Sequence, residues 1–396
     1  MASNSSLTLT RNPYLVSAEN GQPEFNQGDT RRWAWRNLYK LNRYGLTLRS
    51  ENVLQLYKRF EDRIGKMPEL RRLTSTTMFS GMVVVQKDKI LFERYAPDFG
   101  PDMPHSIQSI TKTTLNLIYG RLVAEGKVDL DATVETYLSD IGSGYRGVTV
   151  QDVLDMNVTN NYEEDYLAPY RKPTKASDLT GYRRGDVGLG WQLPPVGEDD
   201  FSMRSFLKEI LSDDTGNPGN FMQYKSANSD VAGWIAEVAG GRDLKDWLAD
   251  ITNAAGLEHA FHISMDRDYF PILSGGGSLT ARDLARYGLI FGRGGRGVNG
   301  EMIGNSDFIE ATRKSGGTIL EDTDGQHRYH NQIFTGGECL SHGGYAGQML
   351  MTNPDKEAAI SFFSVLENED GDEDHYLPEV VAMMDQVMTS LPVVQS

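Results

Sequence analysis

The sequence predicts an α+β protein: one antiparallel sheet built from strands near both chain ends and flanked by helices, with a mostly helical subdomain inserted. Three observations carry that expectation. β-Branched runs occur early, at Gly81-Met-Val-Val-Val-Gln86 and Ile90-Leu-Phe-Glu-Arg-Tyr95, and again late, at 328–334, 347–352 and 358–365. The stretch between about 109 and 275 reads as helix and loop. The 396 residues are enough for a large core and for subdomains around it.

Taken in order, residues 1 to about 30 are polar and aperiodic, an N-terminal extension. Arg32-Trp-Ala-Trp-Arg-Asn-Leu-Tyr-Lys40 reads as a helix, and Leu54 to Ile64 as another. The two early strands flank Lys87-Asp-Lys89 and form a hairpin. Ile110 to Glu125 is helical by its apolar period, with Gly126 ending it. Thr149-Val-Gln-Asp152 opens a further helix with a capping-box pattern. Residues 168–200, rich in Gly, Pro and charge, form a long aperiodic loop of the kind that serves as a lid. Ser202 caps a helix ending near Leu211, Thr280 caps one reaching Phe291, and Leu377 to Leu391 closes the chain as an amphipathic helix. The chain is expected to be one domain over 1–396, its α/β part about 30–108 plus 276–396 and its mostly helical part about 109–275.

A formal net charge of −16 and a pI near 4.9 argue against nucleic acid or an anionic membrane surface as a partner. The single cysteine, Cys339, excludes an intrachain disulfide and a cysteine metal cluster. No secretory pattern opens the sequence and no stretch nears 18 apolar residues, so a cytoplasmic protein is the expectation.

The chemistry centres on Ser109-Ile-Thr-Lys112. Leu115, Ile118, Tyr119 and Leu122 make the buried stripe of the helix, which puts Ser109 at its start and Lys112 one turn in on the same face. A serine hydroxyl needs a base to become a nucleophile. A lysine can be that base where burial and the positive helix end lower its pKa. The Ser109 N–H, unpaired at a helix start, can serve an oxyanion hole. The pattern is short enough to recur by chance, and it does at Ser205-Phe-Leu-Lys208, which reads as solvated helix surface.

Two further stretches offer partners. In Tyr224-Lys-Ser226-Ala-Asn228, just before the helix that follows, Tyr224 and Asn228 can point into a cleft. Lys225 beside Tyr224 would favour the phenolate, which could move the serine proton. The plainer reading of Tyr224 is a packed aromatic with a satisfied hydroxyl. In Ser341-His342-Gly343-Gly344-Tyr345, glycines permit close backbone approach to a substrate, and the Tyr345 N–H is a candidate second oxyanion donor. The plainer reading there is a Gly-rich turn.

In this order and at this spacing, Ser109-x-x-Lys112, Tyr224-x-Ser226-x-Asn228 and His342-Gly-Gly344 resemble the penicillin-recognising serine hydrolases. That group holds class C β-lactamases, DD-peptidases and β-lactamase-like esterases, and the resemblance implies their fold. His342-Gly-Gly344 stands where β-lactamases have Lys-Thr-Gly, which looks more like the esterase and amidase branches. Val153-Leu-Asp-Met156, Tyr162-Glu-Glu-Asp-Tyr166, Gln223 to Asp230, Thr280 to Arg286 and even Arg32-Trp-Ala-Trp35 resemble the 6-aminohexanoate-dimer hydrolases, from about residue 30 to the end. The resemblance implies Ser109 as nucleophile, Lys112 and Tyr224 as acid and base, and the N–H groups of Ser109 and Tyr345 as the oxyanion hole. It further implies Tyr166, Tyr182, Asn228, His342 and Gly344 as substrate-binding. Tyr182 stands where a loop tryptophan closes over substrate. Members that cleave amide dimers well carry a lid-loop Asp and an Asn before the Gly-rich turn. The corresponding positions here are Ser177 and Ser274, which favours a carboxylesterase.

The expected substrate is thus a small-molecule ester or amide, with no cofactor or metal, and the resemblance allows a homodimer. His259/His262 and His327/His330 have a spacing that could hold a metal, but lack a matching Glu or Cys pattern. No Gly-x-Ser-x-Gly elbow is present. A D-amino-acid amidase, a DD-peptidase and a β-lactamase stay open within enzymes, and a non-catalytic binding member of the fold stays open outside them.

Overall fold

Nine strands form the main sheet of the computed structural model, which describes residues 25–166, 181–194, 197–213, 219–321, 326–368, 371 and 375–394. They are β2 (Tyr57–Lys58), β3 (Phe79–Gln86), β4 (Lys89–Tyr95), β8 (Thr318–Ile319), β9 (Arg328–His330), β10 (Ile333–Gly336), β11 (Cys339–Gly344), β12 (Gln348–Asn353) and β13 (Ala358–Ser364). Their spatial order is β2-β4-β3-β13-β12-β11-β10-β9-β8, antiparallel except for the β2–β4 pair. The early hairpin therefore sits against the last strand, with Val83 opposite Ser361 and Val85 opposite Ala359. Chain ends do meet in one sheet, as expected.

Side-chain alternation divides the core in two. Met82 and Val84 pack to one side of β3, with Trp35, Leu38, Val380 and Met384 from the helices Gly28–Leu41 and Tyr376–Ser390. Val83 and Val85 face the other side, with Leu115, Ile118, Val231 and Leu284 from the helices Thr113–Ala124, Ser226–Gly240 and Ala281–Gly292. The sheet is covered on both faces, so β13 is buried along its whole length.

Several expected elements differ. Leu54 to Ile64 is not a helix: its main chain runs beside β4, with the N–H groups of Tyr57, Arg59 and Glu61 donating to Asp88, Ile90 and Leu91 carbonyls. Only Asp62–Gly65 is helical there. The strand expected over 328–334 is broken into β9 and β10 by Asn331 and Gln332, both at positive φ. A second sheet, not expected, pairs β1 (Tyr44–Leu48), β6 (Phe261–Met265), β7 (Gly277–Leu279) and β5 (His105–Ser106) in that order. In the expected 168–200 loop, residues 181–188 form a short helix with Gly185 to Gly188 buried. Its glycines lower its own propensity, so packing on Phe206 and Tyr162 holds it. The capping box at Thr149 and Asp152 and the Thr280 cap are both present.

Candidate active site

The turn that carries Ser109 is more strained than a simple helix start. Gln108–Lys112 is a 3-10 turn running into the Thr113–Ala124 helix, and Gln108 has φ +46°. That conformation costs a non-glycine residue free energy and persists only where surroundings fix it. Here Gln108 Nε2 donates to Ser106 Oγ (2.8 Å), Thr111 Oγ1 to the Gln108 carbonyl (2.7 Å) and the Gly277 N–H to Thr111 Oγ1 (3.0 Å). The turn is strapped to β5 and β7, and Ser109 is left half-buried facing a cavity.

Lys112 lies fully buried beneath it. Its Nζ donates to Ser109 Oγ at 2.8 Å, to Ser226 Oγ at 3.1 Å and to the Ser274 carbonyl. It also stands 5.0 Å from the centre of the Tyr224 ring. Burial brings the lysine down to about 8, against the carboxylates of Glu164 and Asp230, which push it up. The ammonium thus gives up its proton within reach of neutral pH, as a general base requires.

Tyr224 stands beside the serine, but not as the sequence suggested. Lys225 turns away: its Nζ donates to the carbonyls of Asn160 and Tyr162 at 2.8 and 2.6 Å and to Asn160 Oδ1 at 2.9 Å. The cation over the phenol is Lys112. Burial raises the Tyr224 hydroxyl far above its ordinary range, with the Ser109 side chain working the other way. Tyr224 is therefore a neutral phenol poised to donate rather than a resting phenolate.

The cavity is narrow, with about 30 Å³ of free volume. Ser109, Tyr166, Tyr182 and Tyr345 of the expected residues line it. Tyr166 stacks on Tyr345 with centroids 4.5 Å apart and meets Tyr182 edge-on at 5.7 Å. Asn228, His342 and Gly344 stand behind the wall. Asn228 is fully buried, its Oδ1 accepting from Tyr145 Oη (3.0 Å) and its Nδ2 meeting Met156 Sδ (3.5 Å). The helical turn from Ser226 aims it into the helical core, not at substrate. His342 is equally buried, paired with Tyr329 Oη (3.2 Å) and the Gly343 carbonyl (2.7 Å), and burial drives it down to about 3. Alternation along β11 places it on the same face as Gly344, toward the Ser109 turn, where the rings of Tyr224 (6.5 Å) and Tyr329 (5.7 Å) stand against it and it does not line the cavity. Gly344 is a spacer: a Cβ there would lie 2.5 Å from the Ile107 carbonyl, so only glycine lets β11 close on the Ser109 turn.

Three carboxylates that the sequence reading passed over complete the wall: Glu164, Asp186 and Asp230. Glu164 Oε2 accepts from the Ser226 N–H (2.9 Å) and Oε1 from Ser226 Oγ (2.5 Å) and Tyr166 Oη (3.3 Å). Asp230 is fully buried, one oxygen accepting from the Ser274 N–H at 3.3 Å and the other without a partner. Burial pushes its carboxyl up. Asp186 is 1% exposed, and burial pushes it up to about 8, opposed by the charge of Arg183. It sits on the 181–188 helix, so the lid side does carry an acid in the cavity. Ser177, the expected counterpart of a lid-loop acid, lies outside the described residues. Trp191, whose Nε1 donates to Ser264 Oγ (3.0 Å), also lines the cavity, where Tyr182 alone was expected to supply the covering aromatic. Glu164 and Asp230 both lie in stretches that carried the family resemblance, Tyr162 to Tyr166 and Gln223 to Asp230, whereas Asp186 sits in no motif that marks it. Among the described residues no group of His, Cys, Asp and Glu is arranged to hold a metal ion. Ser205 and Lys208 are exposed, with Lys208 paired to Asp140 at 2.5 Å.

A serine bonded to a buried lysine at the start of a core helix, beside a buried tyrosine and under a glycine-bearing strand, defines a class that the comparisons also find. The sequence pattern of the Beta-lactamase family matches residues 70–382, and the chain belongs to that family: it is a hydrolase of the β-lactamase superfamily. It is 28% identical over 363 residues to the 6-aminohexanoate-dimer hydrolase of Paenarthrobacter ureafaciens, covering 88% of this chain and 89% of that one. Its fold is similar to a putative 6-aminohexanoate-dimer hydrolase from Bacillus anthracis, with TM-score 0.79 at 20% identity over 95% of this chain and 99% of that one. It is also similar to a D-stereospecific amidohydrolase from Streptomyces sp., with TM-score 0.53 at 16% identity over 76% and 93%.

Proposed function

We propose that the protein hydrolyses carboxylic esters and linear amides through an acyl-enzyme on Ser109. The observation that carries this is the 2.8 Å bond from Lys112 Nζ to Ser109 Oγ, made by a lysine whose burial lowers it to about 8. Ser109 Oγ attacks the carbonyl carbon while its proton passes to neutral Lys112. The tetrahedral oxyanion is held by the N–H groups of Ser109 and Tyr345. Tyr224 gives its proton to the departing oxygen or nitrogen, and Lys112 restores it. Water then attacks the ester on Ser109, its proton returns through the same pair to Ser109 Oγ, and the acid leaves. Tyr166 and Tyr182 cover the substrate from the lid side.

The cavity's charge speaks to the substrate. Glu164, Asp186 and Asp230 face the space around Ser109, which disfavours an anionic substrate; a substrate ammonium on the Asp186 side would draw that buried carboxyl into its charged form and pair with it. Where β-lactamases have a lysine, His342 is buried and neutral, which weakens the case for β-lactam carboxylate recognition. The name of the Paenarthrobacter relative supports an amide of amino acids within this class. The expected cytoplasmic location fits a chain with a free, buried cysteine, and no helix among the described residues is long and apolar enough to cross a membrane.

The test is mass spectrometry after a fluorophosphonate, with turnover of p-nitrophenyl esters, nitrocefin and a 6-aminohexanoate dimer in parallel. A single adduct on Ser109 with ester or amide turnover, both lost in Ser109→Ala, is expected. Wild-type rates in Ser109→Ala would refute the proposal, and no adduct with no turnover would point to a binding protein instead.

A further inference from the structure

The helix Gly28–Leu41 touches no reacting atom, yet its two largest buried side chains converge on Tyr345. Trp35 Nε1 donates to the Tyr345 carbonyl at 3.3 Å, beside Gln348 Nε2 at 2.9 Å. The Arg31 guanidinium lies 5.3 Å from the Tyr345 ring centre, and its Nη2 reaches Tyr345 Oη at 3.4 Å. Arg31 is fully buried and is itself fixed by the carbonyls of Asn26 (2.8 Å), Leu366 (2.5 Å) and Asn368 (2.6 Å) and by Asn26 Oδ1 (2.9 Å). Leu366 is tied to the same turn, its N–H donating to the Ala346 carbonyl at 3.0 Å. Just before this helix, Phe25 links it to the cavity wall, stacking on Trp35 (5.9 Å) and meeting Trp191 edge-on (5.7 Å).

Tyr345 needs such support. It opens the turn between β11 and β12, where Ala346 has φ +61° and Gly347 φ +110°. The turn is closed by one backbone bond, from the Gly347 N–H to the Gly344 carbonyl at 3.1 Å, and the next carbonyl, that of Tyr345, is met by the side chains of Trp35 and Gln348. A guanidinium in a dry interior is costly unless its donors are met, and here the carbonyls of Asn26, Leu366 and Asn368 meet them while the group lies against Tyr345.

We propose that Arg31 and Trp35 are positioning residues of the active site, holding Tyr345 from behind so that its N–H stays aimed at the oxygen of the acyl group on Ser109. This rests on the serine hydrolase reading above. It gives a role to the Arg-Trp-Ala-Trp stretch, which the catalytic chemistry leaves unexplained.

Trp35→Phe tests it, since phenylalanine keeps an aromatic ring against Phe25 and Tyr345 and removes the indole donor together with some buried ring volume, whose cost to stability is read separately from the thermal midpoint. Arg31→Lys is the second variant, keeping the charge and losing the fork. Each is compared with wild type after active-site titration with a fluorophosphonate, which counts competent Ser109. The readouts are kcat and KM on p-nitrophenyl butyrate and the Ki of a boronic acid, whose adduct with Ser109 is a tetrahedral anion. For Trp35→Phe, kcat per titrated site is expected to fall about tenfold with KM changed less than about twofold, because a slightly misaimed oxyanion donor weakens the transition state more than the ground state. The boronate Ki should weaken by a similar factor, and Arg31→Lys should move in the same direction. Unchanged kcat per titrated site, or a fall in kcat with full boronate affinity, would overturn the proposal. If the wild type itself is not labelled at Ser109, the hydrolase reading falls and this one with it. Labelled wild type with an indistinguishable Trp35→Phe leaves the hydrolase reading standing and removes only this inference.

Discussion

Replacing Asp230 by Asn is expected to move the pH profile of hydrolysis toward acid. Asp230 stands fully buried in the cavity wall, and its charge is one of two that hold the Lys112 proton on. The other is Glu164; Tyr224 and His342 also face the lysine, but as neutral groups. Catalysis needs neutral Lys112, so kcat/KM rises with pH through about 8 and falls below it. At pH 7 a base with that pKa is about one-tenth neutral. Removing the Asp230 charge lowers the lysine further. A drop of about one pKa unit, worth about 1.4 kcal/mol, would make roughly half of it neutral at pH 7 and raise kcat/KM there about fivefold relative to the plateau. The geometry survives the change, because the Asn amide oxygen can accept from the Ser274 N–H as the carboxylate does at 3.3 Å. In the wild type the two buried groups titrate together and broaden the limb, and in the variant it should sharpen to a single proton. The assay is kcat/KM on p-nitrophenyl butyrate from pH 5.5 to 9.5, corrected for spontaneous hydrolysis. An acid limb that stays in place, or moves to higher pH, would refute the claim that Lys112 is the base whose proton Asp230 retains.

Two further outcomes follow from the cavity and the strand above it. Asp186→Asn should lower kcat/KM about tenfold for an ester or amide bearing an amino group, while leaving a neutral ester within about twofold, read from paired substrates at one pH; equal effects on both would remove Asp186 from substrate choice. Gly344→Ala places a Cβ about 2.5 Å from the Ile107 carbonyl, so β11 must back away from the nucleophile's turn. Thermal unfolding should then show a loss of about 1–3 kcal/mol and turnover should drop with it, whereas an unchanged Tm and kcat would mean that the strand has room to spare.

The local signals in the sequence served the site's centre well. Ser109, Lys112 and Tyr224 come together, because each sits at or just before a helix whose apolar period can be read without the fold. The residues that went astray are those whose direction depends on neighbours far away in sequence. Asn228 and His342 lie in the right motifs but point inward, since helix phase and strand alternation are set by what packs behind them. Asp186 and Asp230 were passed over because a buried acid looks like any surface acid until its surroundings are known. Leu54 to Ile64 carried enough apolar residues to look helical, and the free edge of β4, which captures it as extended chain, could not be seen. The second sheet was missed because β5 and β7 are two and three residues long, below what a run of β-branched residues can mark.

The join between β3 and β13 has a bearing on how the protein comes into being. Strands at 79–86 and 358–364 lie side by side, so the sheet's centre cannot close until nearly all of the chain has left the ribosome. Ser109 and Lys112 emerge early, whereas Tyr345, the turn above them and the seam that carries that turn emerge last. Pairings of such long separation form slowly and leave unpaired strand edges exposed meanwhile. A nascent chain stalled before Ser364 would hold a serine and its base with no completed hole opposite them, and hydrolytic competence would switch on only at the end of synthesis.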